Sequence, residues 1–304
     1  MTTPQVHART EMSPARIWLL AARPATLPAA IVPVLVGTAL AAAEGTFRPA
    51  PFLAALVASL LIQVGTNLAN DLFDFQKGAD TAERLGPTRV TQSGLVTPAT
   101  VRNAMVATFT AAALIGVYLI AVGGWPILVV GVLSIISAVA YTGGPWPLGY
   151  HGLGEVFVFL FFGVVAVAGS YYLQAGTVSA VALAASIPVG LLCTAIIIVN
   201  NVRDIDTDRR AGKRTLAVRI GRTATRALYT ACVAVSYAVP VAFWLAGVRG
   251  LVALLPLISI PLAVPLVRTV WTATSGPPLN GVLKGTGRLH LVFGLLFAVS
   301  LLIR

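Results

Sequence analysis

Nine apolar runs of about 20 residues follow one another along this 304-residue chain, and they limit its possible folds more than any other feature. A helix of roughly 20 residues crosses the bilayer's hydrocarbon core of about 30 Å. Charged residues make up only 10% of the chain, against about 25% in soluble domains. The sequence therefore predicts an all-α membrane protein with nine transmembrane helices. The predicted spans lie near residues 24–43, 51–70, 101–122, 125–142, 154–174, 178–200, 224–246, 250–270 and 287–303.

The links between these runs predict how the helices pair and how the protein is oriented. Gly123-Gly124 and residues 175–177 leave room only for tight hairpins, so residues 1–304 are expected to form one membrane domain. Residues 1–15 are expected to be a flexible cytoplasmic N-terminus. With this orientation, 18 of the 21 Lys and Arg residues lie on the cytoplasmic side, as the positive-inside rule requires. We therefore expect a multi-pass protein of the cell inner membrane with its C-terminus outside.

The net charge of +11 follows mainly from this topology. The lipid bilayer is thus the expected macromolecular partner, and a nucleic-acid partner is not expected. Anionic lipid or an anionic substrate is a second use for the basic residues.

Acidic residues are scarce and concentrated in two polar loops, which follow the second and sixth predicted helices. Both loops are therefore expected at the cytoplasmic face. If the helices continue into the loops, Asp71 and Asp74 share one helix face, and so do Asp204 and Asp208. Two carboxylate pairs would then meet in one cleft. Residues 67–99 and 200–222 contain seven of the ten acidic residues: Asp71, Asp74, Asp80, Glu83, Asp204, Asp206 and Asp208.

The side chains in these loops point to a phosphorylated substrate. Clustered carboxylates repel one another unless a cation neutralises them. Mg²⁺ prefers oxygen ligands and commonly completes its shell with substrate phosphate oxygens. Basic residues that can bind phosphate follow each acidic cluster: Lys77, Arg84, Arg89, Arg209, Arg210, Lys213 and Arg214. We therefore expect such a substrate to bind with Mg²⁺ at the membrane surface.

Three segments resemble the UbiA superfamily of intramembrane aromatic prenyltransferases. They are NDLFDFQKGADTAERLGPTRVTQSG from residue 70, YTGGPWPLGYHGLGEVFVFLFFG from residue 141 and NNVRDIDTDRRAGKRTLAVRIG from residue 200. The resemblance implies a nine-helix bundle with an active-site cleft facing the cytoplasm. It also implies Mg²⁺-dependent transfer of a polyprenyl group from an allylic diphosphate. The first segment is most similar to the menaquinone branch, which implies 1,4-dihydroxy-2-naphthoate as acceptor and demethylmenaquinone, CO₂ and diphosphate as products.

The superfamily pattern Asn-x-x-x-Asp-x-x-x-Asp fits the first loop in two registers. The register that we prefer uses Asn70 and Asp74, with the third carboxylate two positions late at Asp80. A register that begins at Asn67 would instead place Phe75 at the third position. The second loop matches without adjustment through Asn200, Asp204 and Asp208.

The resemblance implies three overlapping sets of site residues. The expected metal ligands are Asn70, Asp74, Asp80, Asp204 and Asp208. The expected catalytic residues are Asn70, Asp71, Asp74, Tyr141, Asp204 and Asp208. The expected substrate-binding residues are Asn67, Lys77, Arg84, Arg89, Asn200, Arg203, Lys213 and Arg214.

Other functions stay open at this stage. Within the superfamily, 4-hydroxybenzoate, homogentisate and haem are alternative acceptors. A cation-coupled membrane transporter would also place acidic residues on several helices, although normally near the bilayer midplane. In this chain the Asp residues lie at predicted helix ends beside basic residues, which favours an enzyme that acts at the membrane surface.

Overall fold

The computed structural model describes residues 12–78, 85–86, 88–274 and 276–303, and within these ranges all regular secondary structure is helical. This part of the chain contains ten helices, which are connected mainly by short links. They are α1 Pro14–Ala22, α2 Pro28–Ala43, α3 Pro49–Gln76, α4 Pro98–Gly123, α5 Trp125–Ala140, α6 Gly154–Ala175, α7 Ala180–Arg210, α8 Leu216–Leu245, α9 Leu251–Thr272 and α10 Gly276–Leu302. The prediction of an all-α membrane protein is confirmed.

Seven of these helices are long and apolar enough to cross a bilayer: α3, α4 and α6 to α10. The pair α1–α2, bent by 50°, adds an eighth candidate span. Helix α5 is apolar but has only 16 residues, which cover about 24 Å. The described residues therefore contain seven or eight spans by length and composition, and the predicted count of nine stays a prediction.

Helices α3 and α7 continue into the two acidic loops, which is the condition under which each pair of Asp residues shares a helix face. They have 28 and 31 residues, so each is about 42 Å long or more. Since this exceeds the hydrocarbon thickness of about 30 Å, the C-terminal turns of both helices can lie beyond the core. The predicted tight hairpins are also present, with Gly124 and Gly176 at φ 72° and 74°.

The main hydrophobic core lies between α2, α6, α7, α8 and α10, where large side chains such as Tyr229, Phe293 and Phe297 are fully buried. A second cluster packs α3 against α4 around Leu68 and Phe109. Helix α7 belongs to the first cluster and α3 to the second, and side chains of both helices line one space.

Two irregular segments border that space. Between α1 and α2, Arg23 adopts φ 52°, the one positive φ of a non-glycine residue in the described ranges, and a 3-10 turn follows at Pro24–Thr26. Helix α6 contains a π-helical stretch, Phe159–Val165. Such breaks re-aim side chains and are frequent at functional sites.

Candidate functional site

Carboxylates from both acidic loops line one cavity of about 880 Å³. Asp74 lies in the last turn of α3, whereas Asp204 and Asp208 lie in the last two turns of α7. The fold thus brings three acidic side chains from distant parts of the sequence into one space.

Asp74 is the centre of a cluster of basic and aromatic groups. Its Oδ2 accepts a hydrogen bond from Arg89 Nη2 at 3.0 Å, and its Oδ1 lies 3.2 Å from Lys213 Nζ. The hydroxyl of Tyr150 donates to the same Oδ1 at 2.6 Å. The Asp74 side chain is only 5% exposed, so these contacts are poorly screened by solvent and hold the carboxylate firmly.

The Tyr150 ring also brings two lysines together. Lys213 Nζ and Lys77 Nζ lie 4.5 and 5.2 Å from the ring centre, at cation–π distance. Lys77 Nζ donates to the carbonyl oxygens of Thr142 and Gly144 at 2.8 and 2.9 Å. Burial lowers the pKa of Lys77, an effect that nearby Asp74 opposes and Lys213 reinforces. The two ammonium groups at this rim are suited to binding an anion.

Asp204 is held by a single arginine. Arg203 Nε and Nη2 contact the two carboxylate oxygens at 2.7 and 2.6 Å, and the Arg203 side chain is fully buried. The same guanidinium donates to Asn200 Oδ1 at 2.7 Å and to Asn280 Oδ1 at 2.9 Å. Arg203 therefore supports the cavity wall from behind rather than lining it.

Nine of the predicted site residues line the cavity: Asn67, Asn70, Asp74, Arg89, Tyr141, Asn200, Asp204, Asp208 and Lys213. Arg203 lies behind this lining, and exposed Lys77 contacts the lining residues Thr142 and Tyr150 from the rim. For Arg214, the described contact is its backbone N–H, which donates to the Tyr150 carbonyl at 2.8 Å. Asp80 and Arg84 lie outside the described residues.

Asp71 occupies a different environment from the one expected. Its two carboxylate oxygens accept hydrogen bonds from the backbone N–H groups of Val90 and Thr91 at 3.0 and 3.1 Å, and the residue is 2% exposed. The described cavity lining does not include it. These two hydrogen bonds tie the loop before α4 to α3. The expected catalytic role of Asp71 stays a prediction.

Sequence reasoning missed several polar residues of the cavity. Tyr150 has no helical periodicity to mark it, because it lies in a short 3-10 turn, Leu148–His151, between α5 and α6. Gln63 does carry a signal, since a polar residue inside an apolar span is a functional candidate by default. Other missed lining residues are Arg23, Thr26, Thr142, Asn280 and Lys284. Arg210, one of the basic residues expected to bind phosphate, also lines the cavity.

The residues that line the cavity can bind a divalent ion if the substrate supplies part of its coordination shell. Within the described ranges, no three His, Cys, Asp or Glu side chains gather closely enough to hold a metal by themselves. Mg²⁺ commonly uses one or two carboxylates and takes its remaining oxygens from water and substrate phosphate. The carboxylates on α3 and α7 fit that arrangement, in which the substrate supplies part of the shell.

A smaller apolar pocket of about 120 Å³ adjoins the main cavity. Gln63, Thr66, Tyr141 and Phe162 line both spaces, and Phe157 and Phe161 extend the small pocket. The combined site is therefore charged at one end and aromatic and aliphatic at the other.

Comparison with known proteins identifies the family. Residues 30–280 match the model of the UbiA prenyltransferase family. The chain belongs to this family. Its UbiA relatives include 1,4-dihydroxy-2-naphthoate octaprenyltransferases of Escherichia coli and Mycobacterium tuberculosis, which are 39% and 40% identical over 96% and 93% of this chain and 96% of each relative. The family predicted from the sequence is confirmed.

Solved UbiA structures share the fold. A UbiA homologue from Aeropyrum pernix aligns with a TM-score of 0.66 at 16% identity, over 89% of this chain and 96% of that chain. A UbiA homologue from Archaeoglobus fulgidus bound to GPP and Mg²⁺ aligns with a TM-score of 0.65 at 15% identity, over 94% and 99%. At these identities the likeness concerns the fold, so this UbiA protein is a multi-pass helical membrane protein.

Proposed function

We propose that this protein transfers a polyprenyl group from an allylic diphosphate to 1,4-dihydroxy-2-naphthoate. Diphosphate and CO₂ are released and the quinol form of the product, demethylmenaquinol, is formed. The observation that carries the proposal is one cavity that presents acidic and basic groups from α3, α7 and their loops beside an aromatic pocket. The choice of acceptor is supported by relatives named for it that match nearly the whole chain.

The charged end of the cavity is suited to the diphosphate. Lys213 and Arg89 lie on either side of Asp74, so cationic donors alternate with a carboxylate. Charge-assisted hydrogen bonds from such donors bind phosphate oxygens strongly. The same groups would stabilise the charge that builds up on the departing diphosphate.

Oxygen-bearing side chains on α3 and α7 would hold Mg²⁺ when the diphosphate is bound. Asp74, Asp204 and Asp208, with Asn70 and Asn200, would hold it. When bound, the ion withdraws charge from the diphosphate and weakens the allylic C–O bond. Thr142 Oγ1 donates to Asn70 Oδ1 at 2.9 Å, so the Asn70 side chain is already oriented.

The aromatic end of the cavity is suited to the allylic cation and its hydrocarbon tail. Tyr141 and Phe162 line both the large cavity and the small pocket. Ring faces stabilise cations, and an apolar wall keeps water from the cation until the electron-rich ring of the acceptor attacks it. These residues would therefore favour prenyl transfer over hydrolysis.

The membrane arrangement that we propose has nine spans in one domain, residues 1–304, with α1–α2 and the short α5 each counted as one span. The protein is placed in the cell inner membrane, with the N-terminus and the cavity facing the cytoplasm and the C-terminus outside. Single cysteines at exposed Ser93 and Thr177 test this orientation. In intact spheroplasts a membrane-impermeant maleimide should label Thr177→Cys but not Ser93→Cys, and the reverse pattern would reject the orientation.

A product assay tests the function directly. The purified protein in detergent is given Mg²⁺, octaprenyl diphosphate and either 1,4-dihydroxy-2-naphthoate or 4-hydroxybenzoate. We expect a prenylated, decarboxylated product from the naphthoate. Product from 4-hydroxybenzoate alone would reject the proposed acceptor while keeping prenyl transfer, and no product from either would reject the proposed function.

A further inference from the structure

Gln63 lies where the large cavity meets the apolar pocket. Its side chain projects from α3, lines both spaces and is 7% exposed. Among the described residues, no donor hydrogen-bonds to Gln63 Oε1, although that atom is buried. Native proteins rarely leave a buried carbonyl oxygen without a donor. The unpaired oxygen therefore points to a ligand group that can donate.

Thr26 fixes the orientation of the Gln63 amide, with the amide nitrogen toward Thr26 and the carbonyl oxygen away from it. Thr26 Oγ1 donates to the Arg23 carbonyl oxygen at 2.9 Å, so its single proton is already used. The same oxygen accepts from Gln63 Nε2 at 3.0 Å and from Asn67 Nδ2 at 2.9 Å. A rotated amide would place Gln63 Oε1 against an oxygen that has no second proton to give. The network therefore keeps the Gln63 nitrogen on Thr26 and leaves its carbonyl oxygen for a ligand.

The backbone around Thr26 is held in place from two sides. Asn67 Nδ2 also donates to the carbonyl of Ala22 at 2.9 Å, next to Arg23 with its positive φ. On α10, a Cβ at Gly287 would lie 2.8 Å from the Ala25 carbonyl oxygen, so the glycine permits close contact with the turn. A strained turn that is fixed in this way can position a ligand-binding group accurately.

We propose that Gln63 Oε1 accepts a hydrogen bond from a ring hydroxyl of the aromatic acceptor and so orients the ring for attack on the allylic carbon. This inference rests on the proposed function. The reacting carbon must lie between the diphosphate end, marked by Asp74, and the hydrocarbon end, marked by Phe162, and Gln63 lines both spaces. An ionised carboxylate has no proton to donate, so Gln63 selects the hydroxyl of the acceptor and not its carboxylate.

Equilibrium binding of three compounds tests this role without requiring turnover: 1-hydroxy-2-naphthoate, 4-hydroxy-2-naphthoate and 2-naphthoate. Their dissociation constants are measured for the wild type and for Gln63→Leu. We expect the substitution to weaken at least one hydroxylated compound about tenfold more than 2-naphthoate. Equal weakening of all three compounds, or unchanged binding of all three, would overturn the inference.

Two further variants separate the hydrogen bond from a general effect on packing. Gln174→Leu is the matched control, because Gln174 is a buried glutamine at the far end of α6, where its Oε1 accepts from the Arg48 N–H. It should leave the relative affinities of the three compounds unchanged. Thr26→Val releases the Gln63 amide and should cause a smaller loss of the same selectivity. The same loss in Gln174→Leu, or none in Thr26→Val, would contradict the proposed orientation.

Turnover of 1,4-dihydroxy-2-naphthoate by the wild type is measured on the same preparation. Absence of product would reject the proposed function, whereas the binding profile decides the role of Gln63 by itself. If product forms but Gln63→Leu changes the dissociation constants of all three compounds equally, only the role of Gln63 is rejected.

Discussion

Arg203 holds both carboxylate oxygens of Asp204, and the Arg203 side chain has no exposed surface. The same guanidinium donates to Asn200 on α7 and to Asn280 on α10. One arginine thus fixes a proposed metal ligand, its neighbouring amide and the packing of two helices. The site depends on a residue that does not itself reach the cavity.

Arg203→Ala should destabilise the protein and abolish activity. The substitution leaves Asp204 buried without its cation, which costs about 3–5 kcal/mol. The matched control is Arg209→Ala, because the Arg209–Asp206 pair is 3.8 Å long with side chains 61% and 70% exposed, and such pairs contribute at most about 1 kcal/mol. Unfolding free energies in detergent measure both effects. Equal losses in the two variants would contradict the proposed role of Arg203.

Asp71 and Asp74 should respond differently to the same substitution. Asp71→Asn turns an amide NH₂ toward a backbone donor of Val90 or Thr91, so we expect a loss of about 1–3 kcal/mol in stability and less than about a tenfold loss in turnover. Asp74→Asn should lower turnover by orders of magnitude while the protein stays folded. Thermal unfolding and product formation are measured for both variants. A loss of turnover greater than about tenfold in Asp71→Asn would instead support a catalytic role for Asp71.

Tyr150 should contribute in two separable ways. Tyr150→Phe removes the 2.6 Å hydrogen bond to Asp74 but keeps the ring beside Lys213 and Lys77. Since hydrogen bonds to charged groups contribute about 1.5–3 kcal/mol, the rate constant should fall by about tenfold or more. Tyr150→Leu also removes the cation–π contacts, so it should further weaken diphosphate binding. If both variants bind the diphosphate equally well, the ring has no such role.

The contact between α6 and α7 should tolerate no side chain at Gly163. A Cβ there would lie 2.6 Å from Gly190 Cα, inside the π-helical stretch that borders the cavity. Gly163→Ala should therefore cost about 1–3 kcal/mol through overpacking. Gly169→Ala, on the same helix with open space around the site, should be neutral or stabilising by about 0.5–1 kcal/mol. Similar unfolding temperatures for the two variants would contradict this close helix contact.

Much of the fold was predictable because the bilayer imposes helix length. The apolar runs located α2 to α10 but not α1, and the helical repeat placed Asp204 and Asp208 on one face of α7. The helical repeat could not predict which of Asp71 and Asp74 faces the cavity, because the two residues lie only about 60° apart around a helix. Which of them faces the cavity depends on where the loop before α4 packs, and the sequence does not encode that position locally.

The site residues that sequence reasoning missed are brought to the cavity by tertiary contacts. Tyr150 reaches Asp74 across 76 residues, and no spacing rule predicts such a contact. The orientation of the Gln63 amide depends on Thr26, which lies in a turn where the sequence predicted the start of a continuous span, residues 24–43. Helix α5 shows a different limit of sequence reasoning. Its apolar composition predicts a membrane span, but its length alone is not enough for one.

The most direct test of the central claim is a double-mutant cycle on diphosphate binding. Affinities of a non-reactive allylic thiodiphosphate in the presence of Mg²⁺ are measured for the wild type, Asp74→Asn, Asp208→Asn and the double variant. If α3 and α7 share one Mg²⁺–diphosphate assembly, each substitution should weaken binding strongly and the double variant should lose much less than the sum of the two free-energy changes. Strictly additive losses, or wild-type affinity in either single variant, would contradict a shared site.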